Sequence, residues 1–286
     1  MKANQLFTVA LVLMMAAGMT APVKAQEDLA KKSQNPLGSL ISLPFENNLY
    51  IEGGPSNEIA NVLMVKPVYP VNIGKFNLIN RLIVPVIYLE GLDSKDFSRR
   101  RRKDPVIDLR GEVFPGTDSE FGLGNIQYQG FFTPKEPGKV VWGLGPAFEF
   151  PTNTASALGT DKWSAGPAFV ILTMPGPWVI GCLAQNIWDF AGESDAADVN
   201  KFTFQYFINY NMNDGWYLSS TPTITANWES DGSEQWTIPL GGGIGRLIHF
   251  GKQPVDFKLA SYWNAEKPRS GPKWNFQFTV KFLFPR

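Results

Sequence analysis

The stretch that most constrains the fold of this chain is residues 274–284, close to its C-terminal end. Its even positions carry Trp, Phe, Phe, Val, Phe and Phe, whereas its odd positions carry Asn, Gln, Thr and Lys before Leu283 interrupts the alternation. Successive side chains of a strand point to opposite faces, so the pattern predicts a strand with one aromatic and one polar face. An uncharged aromatic face is unfavourable in water. It suits lipid, provided that the polar face lines the lumen of a closed barrel.

The first 25 residues are predicted to be an export signal peptide. Lys2 precedes an apolar run over 6–15, and small residues before Gln26 predict cleavage after Ala25. The run is too short for a spanning helix, which needs about 20 apolar residues. No later segment has a longer apolar run, so a mature chain that crosses a membrane is expected to cross as a β-barrel.

Charge and rare residues exclude several functional classes. The chain has 26 basic and 26 acidic residues, and removal of Lys2 and Lys24 leaves 24 against 26, a net charge of −2. We therefore expect no nucleic-acid partner. A single cysteine, Cys182, precludes an intrachain disulfide, and a single histidine, His249, precludes a His-rich metal site. We predict no metal, no cofactor and no enzymatic activity.

Strand-like segments alternate with connections of two lengths. We predict twelve strands, near 39–52, 58–69, 77–90, 121–133, 138–150, 162–174, 178–190, 201–211, 215–228, 235–249, 254–265 and 273–284. The tight connections are 134–137, 175–177, 212–214 and 250–253, and the longer ones are 91–120, 151–161, 191–200, 229–234 and 266–272. Bacterial outer-membrane barrels have short periplasmic turns and longer outer loops. The prediction is thus an all-β protein, a closed antiparallel transmembrane β-barrel of about 12 strands.

The N-terminal part of the mature chain leaves an alternative open. Residues 26–38 are predicted to be a flexible periplasmic segment, with the barrel over 39–286. Pro44, Asn47 and Asn48 weaken the first predicted strand. Ten strands with an N-terminal plug in the lumen is therefore the alternative to twelve.

Prolines lie inside several predicted strands, where a closed barrel has no edge to accommodate a missing N–H group. They are Pro85, Pro146, Pro167, Pro222 and Pro239. We expect bulges or local bends at these positions, several of which have glycine beside them.

The side chains on the polar face of each alternating strand are candidate residues of the lumen. These are Gln127, Gln129, Gln205, Asn209, Asn227, Asp256, Lys258, Asn275, Gln277 and Lys281. Mixed charges and amides can conduct small solutes, or can bond to one another and block a narrow barrel. About 8 strands enclose only side chains and about 16 leave a water channel, so twelve strands allow both outcomes.

One long loop carries the sharpest charge cluster, Arg99, Arg100, Arg101, Arg102 and Lys103. The loop is nearly neutral because acidic residues surround this run, which favours a solvated charge network. The alternative is contact with the phosphates of lipopolysaccharide at the outer surface.

Several short motifs resemble one known family. They include Gly122-Leu123-Gly124-Asn125, Trp142-Gly143-Leu144-Gly145-Pro146, Gly215-Trp216-Tyr217, Asn227-Trp228 and Phe282-Leu283-Phe284-Pro285. The chain resembles, over residues 36–286, the outer-membrane proteins filed as "putative meta-pathway of phenol degradation" and labelled as transporters. The resemblance implies a β-barrel in a Gram-negative outer membrane and supplies no catalytic or binding residue. The alternation of Phe276, Phe278, Val280, Phe282 and Phe284 also resembles the C-terminal signal read by the barrel assembly machinery, although Pro285 and Arg286 follow it.

Three functions follow from these observations. The first, favoured by the resemblance, is a channel or transporter for small compounds, including hydrophobic or aromatic ones. The second is a structural or interaction barrel with a plugged lumen and outer loops that contact lipopolysaccharide. The third, a lipid hydrolase, has only His249 as a base and no Gly-x-Ser-x-Gly context, so it is not expected.

Overall fold

The structure is a computed structural model that describes residues 23–53, 58–90 and 119–285. These residues contain one α-helix, α1 (Val23–Ser33), and three 3-10 helices of one turn each, Ser156–Leu158, Asn213–Gly215 and Gly232–Glu234. The strands are β1 (Ile41–Gly53), β2 (Glu58–Val65 and Val68–Ile73), β3 (Phe76–Leu89), β4 (Glu120–Leu123 and Ile126–Pro134), β5 (Val140–Phe150), β6 (Lys162–Thr173), β7 (Trp178–Gly192), β8 (Asn200–Asn211), β9 (Trp216–Ser220 and Thr223–Asn227), β10 (Trp236–Phe250), β11 (Gln253–Glu266) and β12 (Trp274–Phe284). Among these described residues, no helix is both long and apolar enough to cross a membrane.

Each strand pairs antiparallel with the next, and the first pairs with the last. The β1–β12 ladder runs from Ile41 opposite Phe284 to Ile51 opposite Trp274. The twelve strands therefore form a closed antiparallel barrel, which confirms the predicted fold class. The alternative that placed residues 39–52 in the lumen as a plug is wrong, because most of that segment is β1 and closes the barrel.

An amide pair explains why the asparagines in β1 do not prevent strand formation. Asn47 and Asn61 lie on the outward face of β1 and β2, and each donates its Nδ2 group to the other's Oδ1, at 2.8 and 3.1 Å. Because each amide satisfies the other, neither is left unpaired on a surface that otherwise suits lipid. Pro44 lies opposite Lys281 in the β1–β12 ladder.

Prolines interrupt several ladders of the barrel, and at some of these prolines the sequence predicts a bulge or a bend. β2 is broken at Lys66–Pro67 and β9 at Thr221–Pro222, and the β10–β11 register shifts between Ile238 and Pro239. Pro146 and Pro167 lie directly opposite each other in the β5–β6 ladder, with no register shift there. The prediction of a bulge or bend is confirmed at Pro222 and Pro239, where the missing donor coincides with an irregularity.

The two faces of the barrel differ in polarity. The outer face exposes large apolar side chains, including Leu144, Leu218 and Leu240. Exposed aromatic side chains concentrate near the two ends of the strands, with Trp142, Trp178, Tyr210, Phe250 and Phe284 toward the short turns and Phe121, Trp163, Trp188, Trp228 and Trp263 toward the long loops. Two aromatic girdles that flank an apolar band are typical of a barrel that crosses a bilayer.

The helix and the residues after it lie across the short-turn end of the barrel. We call residues 26–40 the plug. At one side the Gln26 side chain donates to the carbonyl of Leu247, and at the other Leu37 packs with Phe131 and Val141. The sequence predicts a flexible segment over 26–38, whereas the structure shows a helix and wall contacts there. Its mobility stays a prediction.

Glycines make room for the plug at both sides of the barrel. A Cβ atom added at Gly143 would come within 2.9 Å of Leu37 Cδ2, and one added at Gly215 within 2.8 Å of Gln26 Nε2. Both distances are shorter than ordinary van der Waals contact, so a side chain at either position would displace the Leu37 or Gln26 side chain from its place. In the middle of the plug, Leu29 and Ala30 pack against Leu247 and Leu283.

Candidate functional site

The lumen holds two adjoining cavities. The lower cavity, of about 190 Å³, lies above the plug, and the upper cavity, of about 260 Å³, extends to residues of the long loops such as Glu234 and Pro272. Both cavities are lined by Glu46, Lys66, Arg81, Leu183, Gln205 and Thr221, and we call these six residues the waist. A molecule that moves along the lumen would have to pass them.

All ten of the predicted lumen candidates line these cavities. Asn209, Asp256, Lys258 and Lys281 line the lower cavity, Gln127, Gln129, Asn227, Asn275 and Gln277 the upper, and Gln205 both. Their role in transport stays a prediction. Glu46 and Lys66 are charged lumen residues that the sequence analysis missed. The alternation of residues over 41–46 indicates that Glu46 faces the lumen. The alternation is interrupted at Asn47, a polar residue on the outward face, and this concealed the pattern.

A carboxylate on β11 connects the lower cavity to the plug. Asp256 is buried, accepts a 2.8 Å hydrogen bond from the Tyr217 hydroxyl, and lies 3.2 Å from Lys281 Nζ. Lys281 also donates to the carbonyl of Ser33, at 3.0 Å. Because these groups satisfy one another, the charge of Asp256 is compensated inside the barrel and the C-terminal end of α1 is held to β12.

A second ion pair lies at the waist. Lys66 Nζ is 2.6 Å from Glu46 Oε1, which also accepts a 3.3 Å hydrogen bond from Asn48 Nδ2. Asn48 Oδ1 in turn accepts from Asn275 and Gln277, at 3.2 and 3.1 Å. This chain of polar contacts fixes the side chains of β1, β2 and β12 that line the upper cavity.

Two further cations near the waist have no carboxylate partner among the described residues. Lys258 Nζ donates to Thr221 Oγ1, at 3.0 Å, and no carboxylate lies within 4 Å of it. Arg81 forms no ion pair there, and its buried Nη1 atom makes no hydrogen bond. The lower cavity is lined by Lys32, Lys66, Arg81, Lys258 and Lys281 against Glu46 and Asp256, which gives five cations minus two anions, a formal charge of +3.

The lumen wall opposite β1 and β2 contributes apolar side chains at and just below the waist. Leu183 of β7 and Phe207 of β8 are buried and line the lower cavity. In a closed barrel of twelve strands, β7 faces β1 and β8 faces β2. The ion pair of Glu46 with Lys66 therefore faces a mixed surface across the lumen, with Leu183 and Gln205 at the waist and Phe207 in the lower cavity.

Glu149 is the centre of a separate network in the wall of β4 and β5. It is fully buried, accepts hydrogen bonds from Gln127 Nε2 at 2.6 Å and Asn125 Nδ2 at 3.3 Å, and lies 3.9 Å from Lys201 Nζ. Asn125 also donates to Thr160. The network connects three strands to the loop between β5 and β6.

Replacing Glu149 by alanine is expected to lower the free energy of unfolding by about 3 kcal/mol, because the change removes the acceptor and leaves the charge of Lys201 less compensated. Glu149→Gln keeps one acceptor oxygen and is expected to cost less. Urea-induced unfolding in lipid vesicles measures both. Equal stability of the alanine variant and the native chain would contradict this account.

The barrel wall is interrupted between β9 and β10. The ladder pairs 216–219 with 243–246 and then 225–226 with 236–237, and no pairing joins 220–224 to 238–242. Side chains satisfy part of the freed backbone: Ser220 Oγ donates to the Gly241 carbonyl at 2.7 Å, and Gln205 Nε2 to the Thr221 carbonyl at 3.2 Å. The upper cavity reaches this interruption, since Pro222 and Pro239 line it.

Other residues singled out from the sequence lie away from the lumen or beyond what is described. The basic cluster of Arg99, Arg100, Arg101, Arg102 and Lys103 lies outside the described residues. His249 lies at the end of β10, beside a short turn. Phe276, Phe278, Val280, Phe282 and Phe284 lie on the outward face of β12, where Phe282 packs edge-to-face on Phe45.

A closed barrel of twelve antiparallel strands, with an apolar outer band, aromatic girdles and a polar lumen, defines the class of outer-membrane β-barrel proteins. The chain belongs to the family described as "Putative MetA-pathway of phenol degradation", which matches residues 60–282. No curated protein matches the chain.

Solved structures match the chain at low sequence identity. The COG4313 outer membrane channel from Pseudomonas putida F1 superposes with a TM-score of 0.58 at 11% identity, covering 86% of this chain and 94% of that one. The Ralstonia pickettii toluene transporter TbuX gives a TM-score of 0.40 at 12% identity, covering 88% and 92%. The first likeness supports the barrel fold.

Proposed function

We propose that this protein is a channel of the outer membrane for small compounds, including hydrophobic or aromatic ones. The observation that carries the proposal is the pair of adjoining cavities inside the closed barrel, between which and beneath which the described residues place only the waist and the plug. A barrel whose interior was filled by side chains would not leave such a path.

The lining of the upper cavity suits compounds with an apolar body. Met64, Ile83, Phe202 and Tyr262 line it beside amides such as Gln127. Ligand sites combine apolar walls with a few placed polar groups in this way. The interruption between β9 and β10 gives an apolar compound a side exit from this cavity into the membrane.

The location and partners that we propose follow from the fold and the sequence. The export signal is removed after Ala25, so that Gln26 begins the plug, and the barrel assembly machinery recognises the alternating aromatic side chains of β12. The long loops face outward, where the basic cluster at 99–103 contacts lipopolysaccharide phosphates. The substrate is a small molecule, and neither a nucleic acid nor a cofactor takes part.

The second candidate is a structural or interaction barrel with a blocked lumen. The plug favours it, because Leu37, Ala30 and Gln26 are held by contacts with the barrel wall. This candidate predicts no current through the protein under any condition.

A substitution inside the upper cavity tests the proposed path. Thr225 lines the upper cavity from β9, and we expect Thr225→Trp to lower the current carried across planar bilayers severalfold. We also expect phenol, added as an aromatic probe, to reduce the current of the native chain. Leu218→Trp is the matched control, because Leu218 lies on the same strand but is exposed on the outer face. Absence of current from both the native chain and a chain without residues 26–38 would instead support the blocked barrel.

A further inference from the structure

We propose that the positively charged region at the waist and the lower cavity is a binding site for the carboxylate of a small organic acid with an apolar body. The inference rests on the proposed channel function for its biological meaning, since it names the substrate class that the channel takes. The site itself is defined by three features of the described residues: two cations without carboxylate partners, an excess of positive charge, and several apolar side chains in the lining.

The cations provide the charge recognition. Arg81 and Lys258 both line the lower cavity, and neither has a carboxylate within 4 Å among the described residues. Arg81 Nη1 is buried without a hydrogen bond, which is costly for a charged donor. An anion at the waist would compensate these charges, and a guanidinium is suited to a carboxylate because its donors match the two oxygens.

The two carboxylates of the lower cavity, Glu46 and Asp256, explain why the cavity favours an anion over a cation. Glu46 is bound by Lys66 at 2.6 Å, and Asp256 is bound by Tyr217 at 2.8 Å and Lys281 at 3.2 Å. Both carboxylates are therefore already compensated. A cation that entered the lower cavity would meet a formal charge of +3, whereas an anion would be attracted to it.

The apolar side chains of the lining distinguish an organic acid from an inorganic anion. Leu183 and Phe207 lie on β7 and β8 and line the same cavity as Arg81, as do Leu40 and Val68. A ring or short alkyl chain can contact these side chains while its carboxylate reaches the cations. The volume of about 190 Å³ is large enough only for a small compound of this kind.

The test is calorimetric titration of the refolded mature chain in detergent with sodium benzoate, and with benzamide as the neutral molecule of similar shape. We expect benzoate to bind and benzamide to bind at least about tenfold more weakly, since hydrogen bonds to charged groups are the stronger ones. Arg81→Gln and Lys258→Gln should each weaken benzoate binding about tenfold, for the same reason. Lys75→Gln, in the exposed turn between β2 and β3, is the matched control and should leave it unchanged.

The outcomes separate this inference from the channel proposal. Equal binding of benzoate and benzamide, or unchanged binding by both lumen variants, would overturn the carboxylate site even if the protein conducts. Acetate that binds as tightly as benzoate would overturn the assignment to an acid with an apolar body. Benzoate binding that depends on Arg81, in a protein that carries no current, would support the site and contradict the channel. Heat-dependent migration in gel electrophoresis verifies that each variant is folded.

Discussion

Removal of residues 26–38 is expected to raise the ion conductance of the refolded protein severalfold, because it opens the short-turn end of the lumen. In the structure this segment lies across that end, with Gln26 bound near β9 and β10 and Leu37 packed against β4 and β5. β1 begins at Ile41, so the deletion leaves the ladder that closes the barrel intact. Single-channel recordings in planar bilayers measure the change.

A point substitution tests the same idea without shortening the chain. Leu37→Asp places a charge in the apolar cluster with Phe131, Val141 and Ile79, and should release this end of the plug. We therefore expect its conductance to approach that of the deletion. Asp28→Ala, at an exposed position of α1, is the control and should conduct like the native chain. An unchanged conductance in both the deletion and Leu37→Asp would show that the plug does not limit passage.

The second large effect is expected at Gly166, where replacement by valine should prevent stable assembly of the barrel. A Cβ atom at this position would overlap the carbonyl oxygen of Asn186 on β7, so the backbones of β6 and β7 would have to separate. Gly145 meets the carbonyl oxygen of Gly130 in the same way on β5. Forced overlap of two backbones costs more than ordinary overpacking, and we expect a loss of at least about 3 kcal/mol.

The measurement is the yield of folded protein in vesicles, read from heat-dependent migration, followed by urea unfolding of whatever folds. Gly138→Ala in the neighbouring β4–β5 turn is the matched control. A Cβ atom there would meet nothing within 4 Å, and its effect should stay within about 0.5 kcal/mol. Native-like folding of Gly166→Val would mean that β6 and β7 are farther apart than the structure indicates.

The strand pattern could be predicted from the sequence because lipid on one side and a polar lumen on the other impose a strict alternation of residues. The regular segments from 201 to 211 and from 274 to 284 are examples, and their polar residues line the cavities. Connection lengths then favour twelve strands, because short turns and long loops alternate. The pattern was weakest at β1, where the outward Asn47 is satisfied only by Asn61, a partner that the sequence of β1 alone does not reveal.

The alternation of residues does not predict the position of the plug, nor which lumen cations lack a carboxylate partner. Residues 26–38 are polar and contain few apolar side chains, so nothing local indicates that Ala30 meets Leu247 and Leu283. The similar motifs around Pro146 and Pro167 were visible in the sequence, but their alignment opposite each other depends on the register of β5 and β6. Likewise, which lysine neutralises which carboxylate depends on neighbouring strands, as with Lys281 and Asp256.

The position of the plug directly before β1 has a consequence for how the molecule is built. The ladder between β1 and β12 joins the two ends of the sheet, so it is the seam at which the cylinder is completed. Because the plug is continuous with β1, joining the two edges brings the N-terminal segment to the short-turn end of the lumen. Residues of the seam therefore have two roles: they complete the wall, and Lys281 and Leu283 of β12 contact the N-terminal segment.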